Sequence, residues 1–267
     1  SDGILLNADA GPTSREAEVF SGNVVGYNGN DGIDTQGRHD IAGNYIGTDA
    51  SGNDLGNGDD GIEVDAGTNA SIGLAITTGS GNDEPNVIGN NGGNGIEVQS
   101  GASSAAIEGN YVGTNANGDA LGNAADGISI ASSDNLIGYT ETQTVPDDPS
   151  PSNNEAGNVI SNNGASGIAI DGGVNNVLRG NLLSSNSGDG IVLAGTDGND
   201  NGDTDDGPNH GQNYPVVTNV ANCDDSSSPT TVDINFQVRS NTGGGAASQY
   251  PLQVDFYAAD SEASGEG

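Results

Sequence analysis

Lysine, methionine and tryptophan are absent from this 267-residue chain, which holds only four basic residues of the Lys/Arg type, three phenylalanines and one cysteine. Each shortage excludes something. With 38 Asp and Glu residues the formal charge is −34, and a surface of that sign repels nucleic acid and anionic membranes while attracting metal cations and basic partners. Cys223 has no second cysteine to pair with, so no disulfide within the chain holds the fold and cysteine usage leaves the redox compartment open. No apolar run approaches the roughly 18 to 20 residues of a membrane helix, and no basic, apolar leader opens the chain. A soluble protein without membrane insertion is expected, any leader having been removed. A helical period is missing too, because Gly and Asn are too dense for the helical repeats of ankyrin, tetratricopeptide or leucine-rich solenoids.

A chain with 46 Gly residues and 4% aromatics would ordinarily bury too little apolar surface to offset its conformational entropy. Here the apolar residues recur at fixed places relative to Gly and Asn, as Gly3-Ile4, Gly32-Ile33, Gly61-Ile62, Gly95-Ile96, Gly127-Ile128, Gly167-Ile168 and Gly190-Ile191. Two positions after each Ile stand Leu6, Thr35, Val64, Val98, Ile130, Ile170 and Leu193. That period of two marks short strands with one buried face. A second column, Asn23, Asn44, Asn86, Asn110, Asn158 and Asn181, precedes strands ending in Val25, Ile46, Ile88, Val112, Ile160 and Leu183. Equivalent residues of stacked coils lie about 4.8 Å apart, so inward Asn amides are expected to bond to one another up the stack.

The shortest unit, Gly167 to Asp189, is long enough for three short strands and their turns. Others carry insertions, the longest being an exposed loop from Thr140 to Glu155 with Pro146, Pro149 and Pro151. The reading is an all-β chain: a parallel β-helix, or β-solenoid, of about six or seven coils over residues 1–196, then an acidic connector over 197–213, then a partial antiparallel sandwich or hairpin over 214–267. In that last unit Val232, Ile234, Phe236 and Val238 alternate with polar residues, as do Leu252, Val254 and Phe256. No amphipathic helix covers either end of the stack, so further chain or a neighbouring molecule is expected there.

Residues 43–57 read GNYIGTDASGNDLGN and 109–123 read GNYVGTNANGDALGN, while DGI or NGI starts several coils. Over roughly residues 2–195 the chain resembles bacterial right-handed parallel β-helix repeat proteins, and GPNHGQNYPVVTNV at 207–220 is similar to the junction such proteins place before a β-rich module. The resemblance implies the right-handed fold and a secreted or cell-surface protein. It implies no common reaction.

Candidate chemistry is acidic. The positions between the buried residues of the first strand are Asp34, Glu63 and Glu97 in consecutive coils, flanked by Gln36, Asp65 and Gln99. Carboxylates about 5 Å apart repel by roughly 1 kcal/mol in water and ~3 to 4 at an effective dielectric of 20, so the stripe Asp34, Glu63, Asp65 and Glu97 is expected to bind a cation or glycan, to raise its pKa values, or to splay into solvent. The clearest metal pattern is in the connector, where Asp197, Asn199, Asn201, Asp203 and Asp205 alternate around Gly residues as oxygen donors for calcium. Position twelve of that run is Pro208 and no helix flanks it, which separates it from an EF-hand.

Two functions follow. The first is a non-catalytic structural or adhesive module, with structural calcium, that associates with cations, surface polysaccharide or further copies of itself through its ends. The second is a calcium-assisted lyase, epimerase or glycosidase on acidic polysaccharide, with Glu63 and Glu97 as paired carboxylates and Arg38 and His39 as charge stabiliser and base. The paired-Asp, Gly-His-Gly and Arg-x-Lys motifs of pectin hydrolases and the Asp-Pro-His core of alginate epimerases are absent. A Lys-free acidic surface also suits a marine or high-salt setting.

Overall fold

The computed structural model describes residues 1–7, 17–20, 22–73, 85–138, 157–195, 207–211, 216–221 and 233–237. Within them short strands stack into three parallel sheets. The first sheet holds Ile4–Leu6, Ile33–Gln36, Ile62–Thr68, Ile96–Ser103, Ile128–Ile130, Ile168–Ile170 and Ile191–Leu193. The second holds Ala17–Phe20, His39–Ala42, Ser71–Gly73, Ala106–Glu108, Leu136–Gly138 and Val177–Arg179. Val24–Val25, Tyr45–Ile46, Val87–Ile88, Tyr111–Val112, Val159–Ser161 and Leu182–Ser184 make the third. The chain visits the sheets in that order on every turn, giving six coils and the first strand of a seventh. The molecule is a parallel β-helix, as the Gly-Ile and Asn columns require.

Register follows the columns read from the sequence. Ile4, Ile33, Ile62, Ile96, Ile128, Ile168 and Ile191 pair in succession, and the residues two places on do the same from Leu6 to Leu193. The five central isoleucines from Ile33 to Ile168 have no exposed surface. Burying each contributes roughly 1.5 to 3 kcal/mol before entropy is subtracted, and the core continues through Ile41, Ile72, Ile107 and Ile137 of the second sheet and Ile46, Ile88, Val112 and Ile160 of the third.

Between the second and third sheets the expected Asn ladder is present. Each amide donates to the side-chain oxygen of the next coil: Asn23 to Asn44 at 2.7 Å, Asn44 to Asn86 at 3.1 Å, Asn86 to Asn110 at 2.9 Å, Asn110 to Asn158 at 3.0 Å and Asn158 to Asn181 at 2.9 Å. A second ladder runs between the third sheet and the following first-sheet strand, through Asn28, Asn57, Asn91, Asn123, Asn163 and Asn186 at 2.8 to 3.0 Å. Buried polar groups cost free energy unless bonded. The repeat satisfies each amide with its own copy one coil away.

The glycine of every Gly-Ile pair from Gly3 to Gly167 is fixed by this stacking. A Cβ at Gly61 would lie 2.6 Å from the carbonyl oxygen of Gly95, 2.6 Å from Ile88 and 2.8 Å from the amide of Asn91. Backbone, core and ladder of neighbouring strands close on one point, so only hydrogen fits.

The two similar segments after the third-sheet strands of coils two and four form matching lateral loops. Asp49 accepts from the backbone N–H groups of Ser51 and Asn53 and from the Asn53 amide at 2.8 Å. Asn115 accepts from Asn117 and Asp119 and donates to the Asp119 carboxylate at 2.9 Å. Acid and amide have exchanged places while the bracket is kept. The insertions at 74–84 and 139–156 lie outside the described residues.

Past the stack, Val216–Ala221 and Asp233–Gln237 form an antiparallel pair, which realises the Ile234–Phe236 strand expected in the C-terminal unit. Its second expected strand, Leu252 to Phe256, lies outside the described residues. Among the described residues no helix is long and apolar enough to cross a membrane.

Candidate functional site

The acidic groups gather where the coils enter the first sheet. In the second to fifth coils the residue before Gly-Ile uses its side chain to accept the backbone N–H of the matching residue one coil on. Asp60 donates to Asp31 at 3.0 Å, Asn94 to Asp60 at 2.5 Å, Asp126 to Asn94 at 3.0 Å and Ser166 to Asp126 at 2.6 Å. The Asp of the DGI motif is therefore a coil-to-coil tie, and Asp31 and Asp60 are each only 3% exposed.

Two residues past the Ile-flanking Gly stands the outward column. Leu5, Asp34, Glu63, Glu97, Ser129, Ala169 and Val192 follow one another in register, so the predicted acidic stripe is continuous but confined to the second, third and fourth coils. Asp65 flanks that column, two residues past Glu63. The pairing shifts by one residue between Thr35 and Gln36, placing Gln36 opposite Ala66, and Asp65 is the extra residue of the bulge. Its carboxylate accepts from the Gln36 amide at 3.0 Å, while the Gln99 amide donates to Glu63.

The rise of the coil sets each outward Glu beside the buried Asp that enters the preceding coil. Glu63 is hydrogen-bonded to Asp31, and Glu97 to Asp60. Two carboxylates cannot share a hydrogen bond unless one keeps a proton. Burial, then the charge of Asp31, pushes Glu63 up to about 7. Burial, then the bond to Glu97, pushes Asp60 up to about 8. Asp31 and Asp34 are also raised, chiefly by burial, with Asp34 facing the charges of Asp65, Asp2 and Asp31. Raised values at Asp34 and Glu63 weaken the repulsion foreseen between those two members of the stripe.

Asp59 joins this rim. One carboxylate oxygen from each of Asp31, Asp59 and Asp60 lies within 4.8 Å of the others. An all-oxygen set is the donor chemistry that calcium takes, although Asp31 and Asp60 already hold the ties described above. These three were not among the candidates read from the sequence. The Asp-Asp-Gly-Ile run at 59–62 is visible there, but its convergence with Asp31 depends on the height of one coil.

Of the proposed catalytic group, Glu63 and Glu97 are neighbours on the outer face. His39 is not beside them: it is 1% exposed, with Nδ1 2.7 Å from the hydroxyl of Thr35, a residue of the buried column. This contact explains why a Thr interrupts an aliphatic column. Arg38 is exposed at the corner between the first and second sheets. The connector donors Asp197, Asn199, Asn201, Asp203 and Asp205 lie outside the described residues.

No family model, curated protein or solved structure matches the chain.

In the second sheet Glu108 stands opposite Gly73 of the neighbouring strand, and burial alone pushes its carboxyl up to about 7.

Proposed function

We propose that the chain is a non-catalytic structural or adhesive module of a secreted or surface protein, a rigid spacer whose faces and ends make contacts with other molecules. The observation that carries this reading is the uninterrupted length of the two Asn ladders and the aliphatic core, which tie every coil to the next. Seven first-sheet strands span six steps of about 4.8 Å, a rod section of about 29 Å. The likeness of GNYIGTDASGNDLGN and GNYVGTNANGDALGN to bacterial β-helix repeat proteins supports an extracellular setting. Large exposed apolar side chains of the solenoid fall on its terminal coils, Leu5, Val24 and Tyr27 at one end and Val177, Leu182 and Ile191 at the other, which favours contacts made through the ends. Calcium belongs to this reading as a structural counterion of the connector and the acidic stripe; melting in calcium against chelator tests it, since a ligand bound by the folded state alone raises stability.

The rival is an enzyme on acidic polysaccharide along the first sheet. Burial of His39 and the engagement of Glu63 and Glu97 with Asp31 and Asp60 count against it, because a general base must reach its substrate. Incubation with alginate and pectate in calcium decides between them. The expected result is no depolymerisation by the wild type; product formation that disappears in a Glu63→Ala, Glu97→Ala variant overturns the structural reading.

A further inference from the structure

A third, shorter Asn ladder lies at the corner between the first and second sheets, in the later coils. The backbone N–H of Ala105 donates to Asn135 at 2.9 Å, and the Asn135 amide donates to Asn176 at 2.8 Å. The next member does not come from another complete coil. It is Asn209, from Pro208–Gly211 beyond the acidic connector, whose side-chain oxygen accepts the N–H of Asn176 at 2.8 Å. The same side chain donates back to the carbonyl of Asn176 at 2.9 Å, and the Asn209 N–H donates to Gly173 at 2.8 Å.

The backbone here is held against its preference. Asn209, His210 and Gly211 have φ of 50°, 64° and 61° in succession, and two adjacent non-Gly residues in the left-handed region cost on the order of 1 to 2 kcal/mol each. Such a conformation persists only where the surroundings impose it. The three bonds of Asn209 and the buried Gly211 supply that constraint, and the segment stands where a seventh coil would turn its corner, since it follows the seventh strand Ile191–Leu193.

We propose that residues 207–211 are a latch: Asn209 substitutes for a seventh coil, closes the open end of the third ladder, and pins the chain to the last complete coil. Latched, the chain is anchored at Asn176. Unlatched, the final corner from Gly173 to Val177 loses its cover, and Asn176 loses both of its bonds to Asn209. The proposal concerns this joint alone and stands whether or not the module serves as a spacer.

Hydrogen exchange of the full chain, resolved by residue, tests it with two substitutions. Asn209→Gly removes the amide while easing the left-handed backbone, so it isolates the side chain; Asn209→Asp keeps the acceptor and loses the donor. Exchange at Asn176 is expected to rise about fivefold in Asn209→Gly, one hydrogen bond being worth roughly that factor, and less in Asn209→Asp. Amides of Ile41 and Ile72, several coils away, keep their wild-type rates, which shows that the variant is folded. Unchanged protection of Asn176 in Asn209→Gly overturns the latch. So does an equal loss of protection in every coil, which would make Asn209 a general stabiliser.

Discussion

An asparagine inside a ladder carries more than its own hydrogen bond. Asn110 accepts from Asn86 at 2.9 Å and donates to Asn158 at 3.0 Å and to the carbonyl of Ile72 at 2.9 Å. Asn110→Ala leaves these partners short inside a dry corner, at a cost of about 2 to 3 kcal/mol, whereas Asn53→Ala, on an exposed loop, costs clearly less; thermal melting of the two variants checks the difference. The rim carboxyls act in the opposite sense to most acids. Glu63 and Asp60 hold protons up to about 7 and 8 when folded, against 4.5 and 3.8 as ordinary groups. The folded state therefore binds more protons through that window, and its stability is full at the acid side and falls as pH rises from about 4 to 8. Glu63→Gln supplies a donor to Asp31 without needing a proton. Its melting temperature is expected above wild type at pH about 8.5 and equal to it near 4.5, and a variant less stable than wild type at the higher pH contradicts the shared-proton pairs.

Strands are where the sequence was most legible. Gly-Ile locates all seven first-sheet strands, with an apolar residue two places on in six of them and Thr35 in the other, and Asn23 to Asn181 locate the third sheet, because period two and a fixed spacing from Gly survive every insertion. The second ladder was equally visible as N-x-x-x-G-I, from Asn28 before Gly32-Ile33 to Asn186 before Gly190-Ile191, but was not among the columns recognised. Asp31, Asp59 and Asp60 were not legible, since their meeting is diagonal and depends on how far one coil rises while the chain shifts sideways. The same holds for the bulge that leaves Asp65 without a partner in the strand register. Stacking also explains why one sequence position tolerates change differently along the stack. Gly61→Ala forces a Cβ against the Gly95 carbonyl at 2.6 Å, while at Gly190, just before the last first-sheet strand, the nearest atom is Leu183 Cδ1 at 3.7 Å. Denaturant unfolding is expected to place Gly61→Ala about 1 to 3 kcal/mol below wild type and Gly190→Ala within about 0.5 kcal/mol of it.

Across the molecule, stability is a sum of coil-to-coil interfaces rather than a single globular core. The central coils have neighbours on both sides, and the terminal ones leave Leu5, Val24, Leu182 and Ile191 exposed. Charge is distributed with the same logic: on the outer face of the first sheet the acids occupy the second to fourth coils, then give way to Ser129, Ala169 and Val192. All of this depends on successive isoleucines standing one above another. Methyl-labelled isoleucine NMR tests that alignment in solution. An unbroken chain of methyl contacts from Ile62 to Ile96, Ile128 and Ile168 is predicted, each step about 4.8 Å; contacts that skip Ile96, or none between these four, would contradict the stacked coils.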